Sequence, residues 1–363
     1  MLTVEDFESA KRVLSSGEEF GPPLIADYIE LLEKESGIDF SQLKKYLKSF
    51  LPFMQGEEHL RIRKQINKLF TRQALKEWSP NIVAAVDYRI CQLDTNKPSD
   101  LILDVVDPLY MDLVEEVFGV KLPDRETFIR NVEVATNAVE RMASVSQLKK
   151  LQKILIDLDE LVSQQLSIFE KNTLFRQIVD KVNSEINQED VVSILLALLI
   201  AARATTETIA HIIVEFSSLE DGQLEKYISI AWVDQHINDL IRLYASTNLL
   251  SKEVKVDTKM NGCPVSAGSQ VLINIPSVNR DPNVYGNQVA LDKLEDDSAR
   301  MKHLTFGSGA HICIGAELAK EIIKAFIPRF FSKYPYMSCD IENITFYKAQ
   351  IATRIKTLPV KLS

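Results

Sequence analysis

The apolar residues of this chain recur mainly at the spacing of amphipathic helices. Residues 57–74 contain one such pattern, whose apolar positions lie close to a single helical stripe: Leu60, Ile62, Ile66, Leu69 and Phe70. Further helices are predicted over 229–245 and over 315–332, where the second follows a glycine-rich segment. The pattern therefore indicates a mainly helical protein.

The longest helical pattern covers residues 188–216. Asn187 can cap this helix, and Glu189 and Asp190 place negative charge in its first turn, where the helix dipole favours it. The first half of the segment is apolar almost all round, which is typical of a helix with protein on every side. We expect it to run through the middle of the fold.

Glycine and proline are distributed unevenly and indicate where the strands lie. No proline and one glycine, Gly222, occur between Pro123 and Gly262, whereas six of the 12 glycines come after residue 260. Turns and short strands should therefore concentrate in the last third. The strands are predicted over 251–257, 269–275 and 356–362. With no repeat or linker, residues 1–363 are interpreted as a single domain.

Composition excludes several classes of protein. The net charge of −9 argues against nucleic acid as a general partner. The N-terminal segment lacks the apolar core of a secretory signal, and the most apolar run, residues 191–202, is too short to span a bilayer. Four widely spaced cysteines (Cys91, Cys263, Cys313 and Cys339) do not resemble a disulfide framework or a zinc site. We expect a cytoplasmic protein.

The segment from His303 to Lys320 carries the most informative chemistry. It reads HLTFGSGAHICIGAELAK, with three glycines in nine residues and Cys313 just before a predicted helix. Free N–H groups and the positive dipole end at a helix N-terminus stabilise a thiolate, which can bind a metal. A buried structural cysteine is the alternative interpretation. A dinucleotide loop is disfavoured because the third glycine of G-x-G-x-x-G is missing.

This segment resembles the haem-binding loop of the cytochrome P-450 family, F-x-x-G-x-x-x-C-x-G, at every constrained position from Phe306 to Gly315. The resemblance implies a mainly α fold with small β-sheets. It also implies haem b (iron protoporphyrin IX), with Cys313 as the iron ligand and Phe306 beside the cofactor. The chain differs at its start, where the family's first helix and strands are absent before the segment from Thr3 to Phe20.

Four cations are expected to bind the two haem propionates. His59 and Arg63 lie on one helix face at i, i+4 and match the H-x-x-x-R of bacterial-type members. His311 lies in the loop itself. Lys252 stands ten residues after Arg242, where the family usually has arginine, so the charge is kept without bidentate geometry.

Two further motifs are expected to have structural roles. Residues 279–282 read N-R-D-P, like the corresponding turn of the family. The family's E-x-x-R pair is represented by Asp239 and Arg242, and Lys293 aligns with the arginine that completes this buried group.

Residues 201–206 match the oxygen-activating part of the family's central helix, with Thr205 at the threonine that helps to deliver protons. Ala201 and Ala202 leave space, but Ala204 replaces the usual acid. A proton route needs a titratable group or ordered water, so Glu207, the substrate or water is expected to substitute. Thr205 has an alternative, because a hydroxyl often bonds the carbonyl of residue i−4 in its own helix.

The resemblance implies a monooxygenase that inserts one atom of O₂ into a small organic or carrier-bound substrate, in a biosynthetic pathway. A peroxide-using, isomerising or dehydrating haem-thiolate enzyme is the main alternative, favoured by Ala204. A non-catalytic module that recruits a carrier protein is less consistent with the retained site. Eight residues are expected near the substrate: Phe53, Met54, Leu198, Ala201, Asn248, Leu249, Leu250 and Ile351.

No flavin or nicotinamide domain is present in this sequence, so electrons would come from a ferredoxin- or flavodoxin-like partner. A basic stripe at helical spacing lies on the predicted helix 57–74, and it could steer an acidic donor. The stripe consists of Arg61, Lys64, Lys68 and Arg72. An ordinary solvated helix face is the alternative interpretation.

Overall fold

Helices make up most of the protein in the computed structural model, which describes residues 2–23, 25–139, 143–182, 186–219, 223–294, 302–348 and 352–362. The α-helices are α1 (Phe7–Ser15), α2 (Ile25–Ser36), α3 (Ser41–Lys48), α4 (Gly56–Ile66), α5 (Arg72–Leu75), α6 (Ser79–Cys91), α7 (Asp107–Leu113), α8 (Arg125–Val139), α9 (Val145–Ser163), α10 (Leu174–Val182), α11 (Gln188–Phe216), α12 (Leu224–Tyr227), α13 (Ile230–Tyr244), α14 (Ile275–Val278), α15 (Pro282–Tyr285) and α16 (Ala316–Lys333).

Short strands supplement the helices. They are β1 (Leu2–Val4), β2 (Phe20–Gly21), β3 (Ser99–Asp100), β4 (Leu249–Val254), β5 (Thr258–Met260), β6 (Cys263–Val265), β7 (Gln270–Asn274), β8 (Ser338–Cys339), β9 (Thr345–Phe346), β10 (Ile355–Thr357) and β11 (Pro359–Lys361). The largest sheet has the order β1-β7-β4-β2. In it β1 runs parallel to β7 and β4 runs antiparallel to β7, with Lys252 opposite Val271.

The central helix has the predicted bounds and cap. The Asn187 side chain accepts a hydrogen bond from the Asp190 N–H at 2.9 Å, and α11 packs against α7, α9, α13 and α16. By length and composition this helix could cross a membrane, but 72% of its most apolar window is buried within the protein. That burial is typical of a core helix.

The predicted helix 57–74 is interrupted. The α-helix ends at Ile66, a 3₁₀ turn covers Asn67–Leu69, and α5 begins after Thr71. The Thr71 hydroxyl accepts a hydrogen bond from the Ala74 N–H at 3.2 Å. Thr71 is thus an N-cap with extended backbone, so a local side-chain bond overrides the apolar periodicity there.

The predicted strands are present with shifted ends. The first begins at Leu249 and ends at Val254, and the last is divided into β10 and β11 around Leu358. Leu358 is fully buried, and its N–H donates to the Asp100 side chain at 3.0 Å while its carbonyl accepts from the Leu101 N–H at 2.9 Å. These bonds anchor the C-terminal strands to the helical part of the fold.

The core has two clusters of buried apolar residues. The larger one surrounds α11, and the smaller one packs α1 against β7 and Leu304. Leu304 opens the segment that contains Cys313. The smaller cluster therefore supports the candidate site from the side of the N-terminal helix.

Candidate functional site

The loop before α16 is closed by its own backbone. The Cys313 N–H donates to the Phe306 carbonyl at 2.7 Å, and the Gly307 N–H donates to the Leu304 carbonyl at 2.9 Å. Gly307 and Gly309 both have φ of 72°, a left-handed conformation that favours glycine. The sequence thus supplies glycine where the loop must turn back on itself.

Gly309 is also required by close packing. A Cβ built on it would lie 2.8 Å from the Ser15 Cα and 3.0 Å from the Leu14 carbonyl oxygen. The hydroxyls of Ser15 and Ser308 lie 2.8 Å apart across the same contact. Gly309 therefore allows the loop to approach α1 closely, and α1 holds the loop in place.

Cys313 lies three residues before the first residue of α16, and the residue is exposed overall although its thiol is surrounded by protein atoms. Burial raises the pKa of this thiol above its ordinary value, although the N–H groups of Gly315 and Ala316 and the charge of Arg63 oppose that effect. The predicted helix-terminal donors are present, but they do not outweigh the loss of water. A cation bound to the sulfur would displace the proton.

A metal at Cys313 would need further ligands from outside the protein. Within the ranges that the structure describes, no group of three or more His, Cys, Asp or Glu side chains could hold a metal ion. One protein thiolate combined with a metal that brings its own ligands is the arrangement found in haem-thiolate proteins.

Two of the four predicted cations contact each other, and a third binds the Cys313 loop. The rings of His59 and His311 stack with centroids 4.2 Å apart and planes 13° from parallel. Arg63, one turn after His59 on α4, donates to the Ile312 carbonyl at 2.5 Å. Lys252 is 8% exposed, and its charge lowers the pKa of both imidazoles. The cation cluster, defined as His59, Arg63, Lys252 and His311, thus adjoins the Cys313 loop.

The cation cluster lacks a matching anion in the described part of the chain. Burial is the largest cause that lowers the pKa of His59 to about 4 and of His311 to about 3, and Arg63 and Lys252 lower both further. The buried His59 Nε2 and His311 Nδ1 have no hydrogen-bond partner there. Buried polar atoms are normally paired. The cluster therefore fits a bound anion, and the propionates of a haem suit it.

The middle of α11 is exposed on one side, which we call its open side. Most of the helix is buried, but Ala201 and Ala204 are exposed and Leu198, Ala202 and Thr205 are partly exposed. The neighbouring Thr206 and Thr208 hydroxyls donate to helix carbonyls at 3.1 and 2.8 Å. Among the described contacts no such bond involves the Thr205 hydroxyl. This favours a role on the open side over the alternative of a bond within the helix.

Glu207 does not fit the role of a replacement acid. It is 6% exposed, and its Oε1 accepts from Arg203 at 3.1 Å and from Arg354 at 2.7 Å. The two arginines hold this carboxylate in place within the protein. The expectation that Glu207 could take over from the missing acid at Ala204 is therefore wrong.

The expected substrate residues have mixed positions. Met54 is buried, whereas Phe53, Leu198, Leu249 and Leu250 are partly exposed and Ala201 is exposed. The Asn248 amide is engaged by the Thr353 hydroxyl, with contacts of 2.7 and 3.0 Å. Ile351 lies outside the described residues. The amide that we expected to face a substrate is thus used within the protein, and the rest of the set stays a prediction.

The motif residues around Arg242 form a buried group that is bonded to the start of the Cys313 loop. Arg242 and Asp239 form a fully buried ion pair at 2.8 Å, as predicted. Asn279 accepts from the Leu304 N–H at 3.0 Å and donates to Thr305 at 2.8 Å. Lys293 is the exception, because it is 58% exposed and pairs with Asp292 at 3.0 Å. The expectation that Lys293 completes the buried group is wrong.

The predicted basic stripe is exposed, as a docking surface requires. Its members Arg61, Lys64, Lys68 and Arg72 all reach solvent, and Arg72 is bonded to Glu317 at 2.5 Å. Sequence reasoning missed Lys320, which is 9% exposed and lies 6.0 Å from the Phe306 ring centroid. Its position one helical turn after Glu317, to which it is bonded at 2.8 Å, could have indicated a buried pair.

Comparison with known proteins agrees with this geometry. The family model described as cytochrome P450 matches residues 220–361. Cytochrome P450(MEG) of Priestia megaterium is 24% identical over 98% of this chain and 88% of its own length. Vitamin D(3) 25-hydroxylase of Pseudonocardia autotrophica is 22% identical over 85% of this chain and 77% of its own length.

A solved structure shows the same fold. P450BioI, in complex with an acyl carrier protein that carries hexadec-9Z-enoic acid, superposes with a TM-score of 0.84 at 19% identity. The match covers 99% of this chain and 92% of that structure. The mainly α fold with small sheets is thereby confirmed. The matching family model covers the cysteine loop, and the chain is thus similar in sequence and in fold to the bacterial cytochromes P450.

Proposed function

We propose that this protein is a haem-thiolate monooxygenase that inserts one oxygen atom from O₂ into a small organic substrate. The observation that carries the proposal is Cys313 beside a cation cluster in which, among the described residues, His59 Nε2 and His311 Nδ1 have no hydrogen-bond partner. One group that supplies both a metal with its own ligands and two carboxylates satisfies both features. Haem b is such a group.

The residues divide the task of holding the haem. Cys313 would bind the iron, and His59, Arg63, Lys252 and His311 would bind the propionates. Phe306 would lie against the cofactor on the loop side, where His303 and Lys320 in turn contact its ring. When bound, the cysteine-ligated iron supplies the activation of oxygen, because the thiolate donates electron density that favours O–O cleavage.

The open side of α11 would handle oxygen and protons. Ala201 and Ala202 leave room beside the helix, and the Thr205 hydroxyl can hold a proton at its oxygen because no helix carbonyl claims it in the described contacts. Ala204 offers no acid, and Glu207 is held by Arg203 and Arg354. The proton route therefore depends on water or on the substrate.

Ala204, which stands where the family has an acid, favours a second candidate function. Without an acid at position 204, an enzyme that uses peroxide, or that isomerises or dehydrates its substrate, needs no proton delivery to dioxygen. In that case Thr205 would position the oxidant or the substrate. The two candidates share the haem site and differ in their oxidant.

A separate electron donor and a cytoplasmic location complete the proposal. A ferredoxin- or flavodoxin-like protein would approach the exposed basic stripe of Arg61, Lys64, Lys68 and Arg72. All four cysteines are free thiols, which is consistent with the reducing cytoplasm. A biosynthetic pathway with a free or carrier-bound fatty acyl substrate is our first choice, since the P450BioI structure contains such a carrier.

Turnover with two oxidants tests the proposal. The haem-loaded protein is incubated with fatty acids, free or attached to acyl carrier protein, with either NAD(P)H, reductase and ferredoxin or hydrogen peroxide. A monooxygenase forms hydroxylated product with the reductase system and O₂. Product with peroxide alone supports the second candidate, and a protein that binds no haem contradicts both.

A further inference from the structure

A buried polar stripe runs along α11 beside its open side, since His211 stands seven residues, or about two helical turns, after the exposed Ala204. Arg203, Glu207 and His211 are spaced four residues apart and therefore lie above one another. Arg203 is 2% exposed and Glu207 is 6% exposed. Burying charge is costly unless it is paired, so this stripe needs partners from other elements.

The partners come from α7 and from the segment after β9. Arg203 is 2.8 Å from the Asp107 carboxylate, and Arg354 donates to Glu207 at 2.7 Å. His211 Nε2 lies 2.7 Å from the Thr353 carbonyl oxygen. A carbonyl only accepts, so this nitrogen carries the hydrogen. Residues 353 and 354 are thus bound to the central helix.

The opposite side of the same segment is bound to residues 246–248, which lead into β4. The Thr353 N–H donates to the Ser246 carbonyl at 2.8 Å, and Ala352 forms an isolated β-bridge with Thr247. The Thr353 hydroxyl and the Asn248 amide satisfy each other at 2.7 and 3.0 Å. We call the three residues that span this gap, His211, Thr353 and Asn248, the polar clasp.

The polar clasp lies between two elements that would line the space for a substrate. On one side is α11, which carries the open face, and on the other is β4, which carries Leu249 and Leu250 and then Lys252 of the cation cluster. Hydrogen bonds with fixed geometry hold a separation more tightly than apolar contacts, which tolerate sliding. The clasp therefore bridges α11 and the segment that leads into β4 by hydrogen bonds.

We propose that Thr353 and Asn248 are specificity-determining positioning residues, which fix the width of the substrate space between α11 and β4. This inference rests on the proposed haem site, because it assigns that space to the substrate. Neither side chain needs to touch the substrate. Their effect is on which ligand shapes fit.

Two azoles of different size test the width directly in the haem-loaded protein. Imidazole and 4-phenylimidazole both coordinate haem iron, and binding is read from the shift of the Soret band. Thr353→Val keeps the shape of the side chain and removes the hydroxyl. We expect its dissociation constant for 4-phenylimidazole to change about three- to tenfold, the equivalent of one hydrogen bond, while that for imidazole changes less than about twofold.

Thr345→Val is the matched control, because it removes an exposed hydroxyl that lies 2.6 Å from Thr357 in the β9–β10 pair. Thr353→Ser should restore the wild-type ratio of the two constants. If Thr353→Val does not retain haem, Asn248→Leu removes the same pair from the other side and should give the same selective change.

The proposal is overturned if the ratio of the two azole dissociation constants is unchanged in Thr353→Val or Asn248→Leu. It is also overturned if Thr345→Val changes this ratio equally. Those outcomes leave the thiolate spectrum of the wild type intact. A wild type without that spectrum would instead contradict the proposed function itself, so the two failures are distinguishable.

Discussion

Arg63 donates a hydrogen bond of 2.5 Å to the carbonyl of Ile312, the residue that immediately precedes Cys313. Its positive charge also opposes the rise in the pKa of the Cys313 thiol. Arg63 therefore connects the cation cluster to the Cys313 loop and to the sulfur.

Removal of residues of the cation cluster should weaken haem retention. Arg63→Ala and His311→Ala each remove a charge-assisted bond to a propionate, at a cost of about 1.5–3 kcal/mol. The transfer of haem to excess apomyoglobin should accelerate accordingly. Lys64→Ala, an exposed change on the same helix, is the control and should transfer haem at the wild-type rate. An unchanged rate in the double variant Arg63→Ala/His311→Ala would place the propionates elsewhere.

Acid should destabilise the haem-free protein more than the loaded one. The pKa of His59 is lowered to about 4 and that of His311 to about 3, against about 6.5 in an unfolded chain. The unfolded chain then binds more protons in this range, so stability is fully present above pH 6.5 and is lost as the pH falls towards 4. Propionates would raise both values and reduce the loss.

The free energy of urea unfolding at pH 7 and pH 5 measures this effect. Between these values the haem-free protein should lose about 1–2 kcal/mol for each imidazole. His59→Gln should remove part of the loss. An equal loss in the loaded protein would mean that haem does not pair with these imidazoles.

An acid restored at position 204 should improve coupling in a monooxygenase. A positioned acid contributes about 10²–10⁴-fold to proton transfer, so the wild type should release part of its reduced oxygen as peroxide. Ala204→Asp should raise the product formed per NAD(P)H consumed, and Ala204→Asn, of equal size without a titratable group, should not. No gain, or a loss, in Ala204→Asp supports the peroxide-using or isomerising candidate.

The basic stripe should govern donor binding in a salt-dependent way. Lys64→Glu and Lys68→Glu should raise the KM for an acidic ferredoxin at low ionic strength, and the difference should shrink near 0.5 M salt, where screening is strong. Lys149→Glu, an exposed change on α9, is the control. A KM that is unchanged by both stripe variants would assign the stripe to an ordinary solvated face.

Local signals allowed much of the fold and site to be predicted from the sequence. The bounds of α11 follow from its apolar pattern and its Asn187 cap, and the loop follows from its glycines and Cys313. His59 and Arg63 could be paired because helical spacing is regular. Such features depend on residues within a few positions of one another.

Features that depend on distant residues could not be predicted. Glu207 meets Arg354 from 147 positions away, and Asn248 meets Thr353 from 105 positions away. Both side chains looked available when considered only with their neighbours in sequence. Lys293 failed for a related reason, because the spacing placed a charge near a buried pair whereas the fold leaves it exposed.

The spectrum of the reduced carbon-monoxide complex tests the central assignment most directly. The wild type should show the red-shifted Soret band of thiolate-ligated haem, and Cys313→Ala should lose it. Cys91→Ala, Cys263→Ala and Cys339→Ala should each retain it. A normal thiolate band in Cys313→Ala, or its absence from the haem-loaded wild type, would contradict the account.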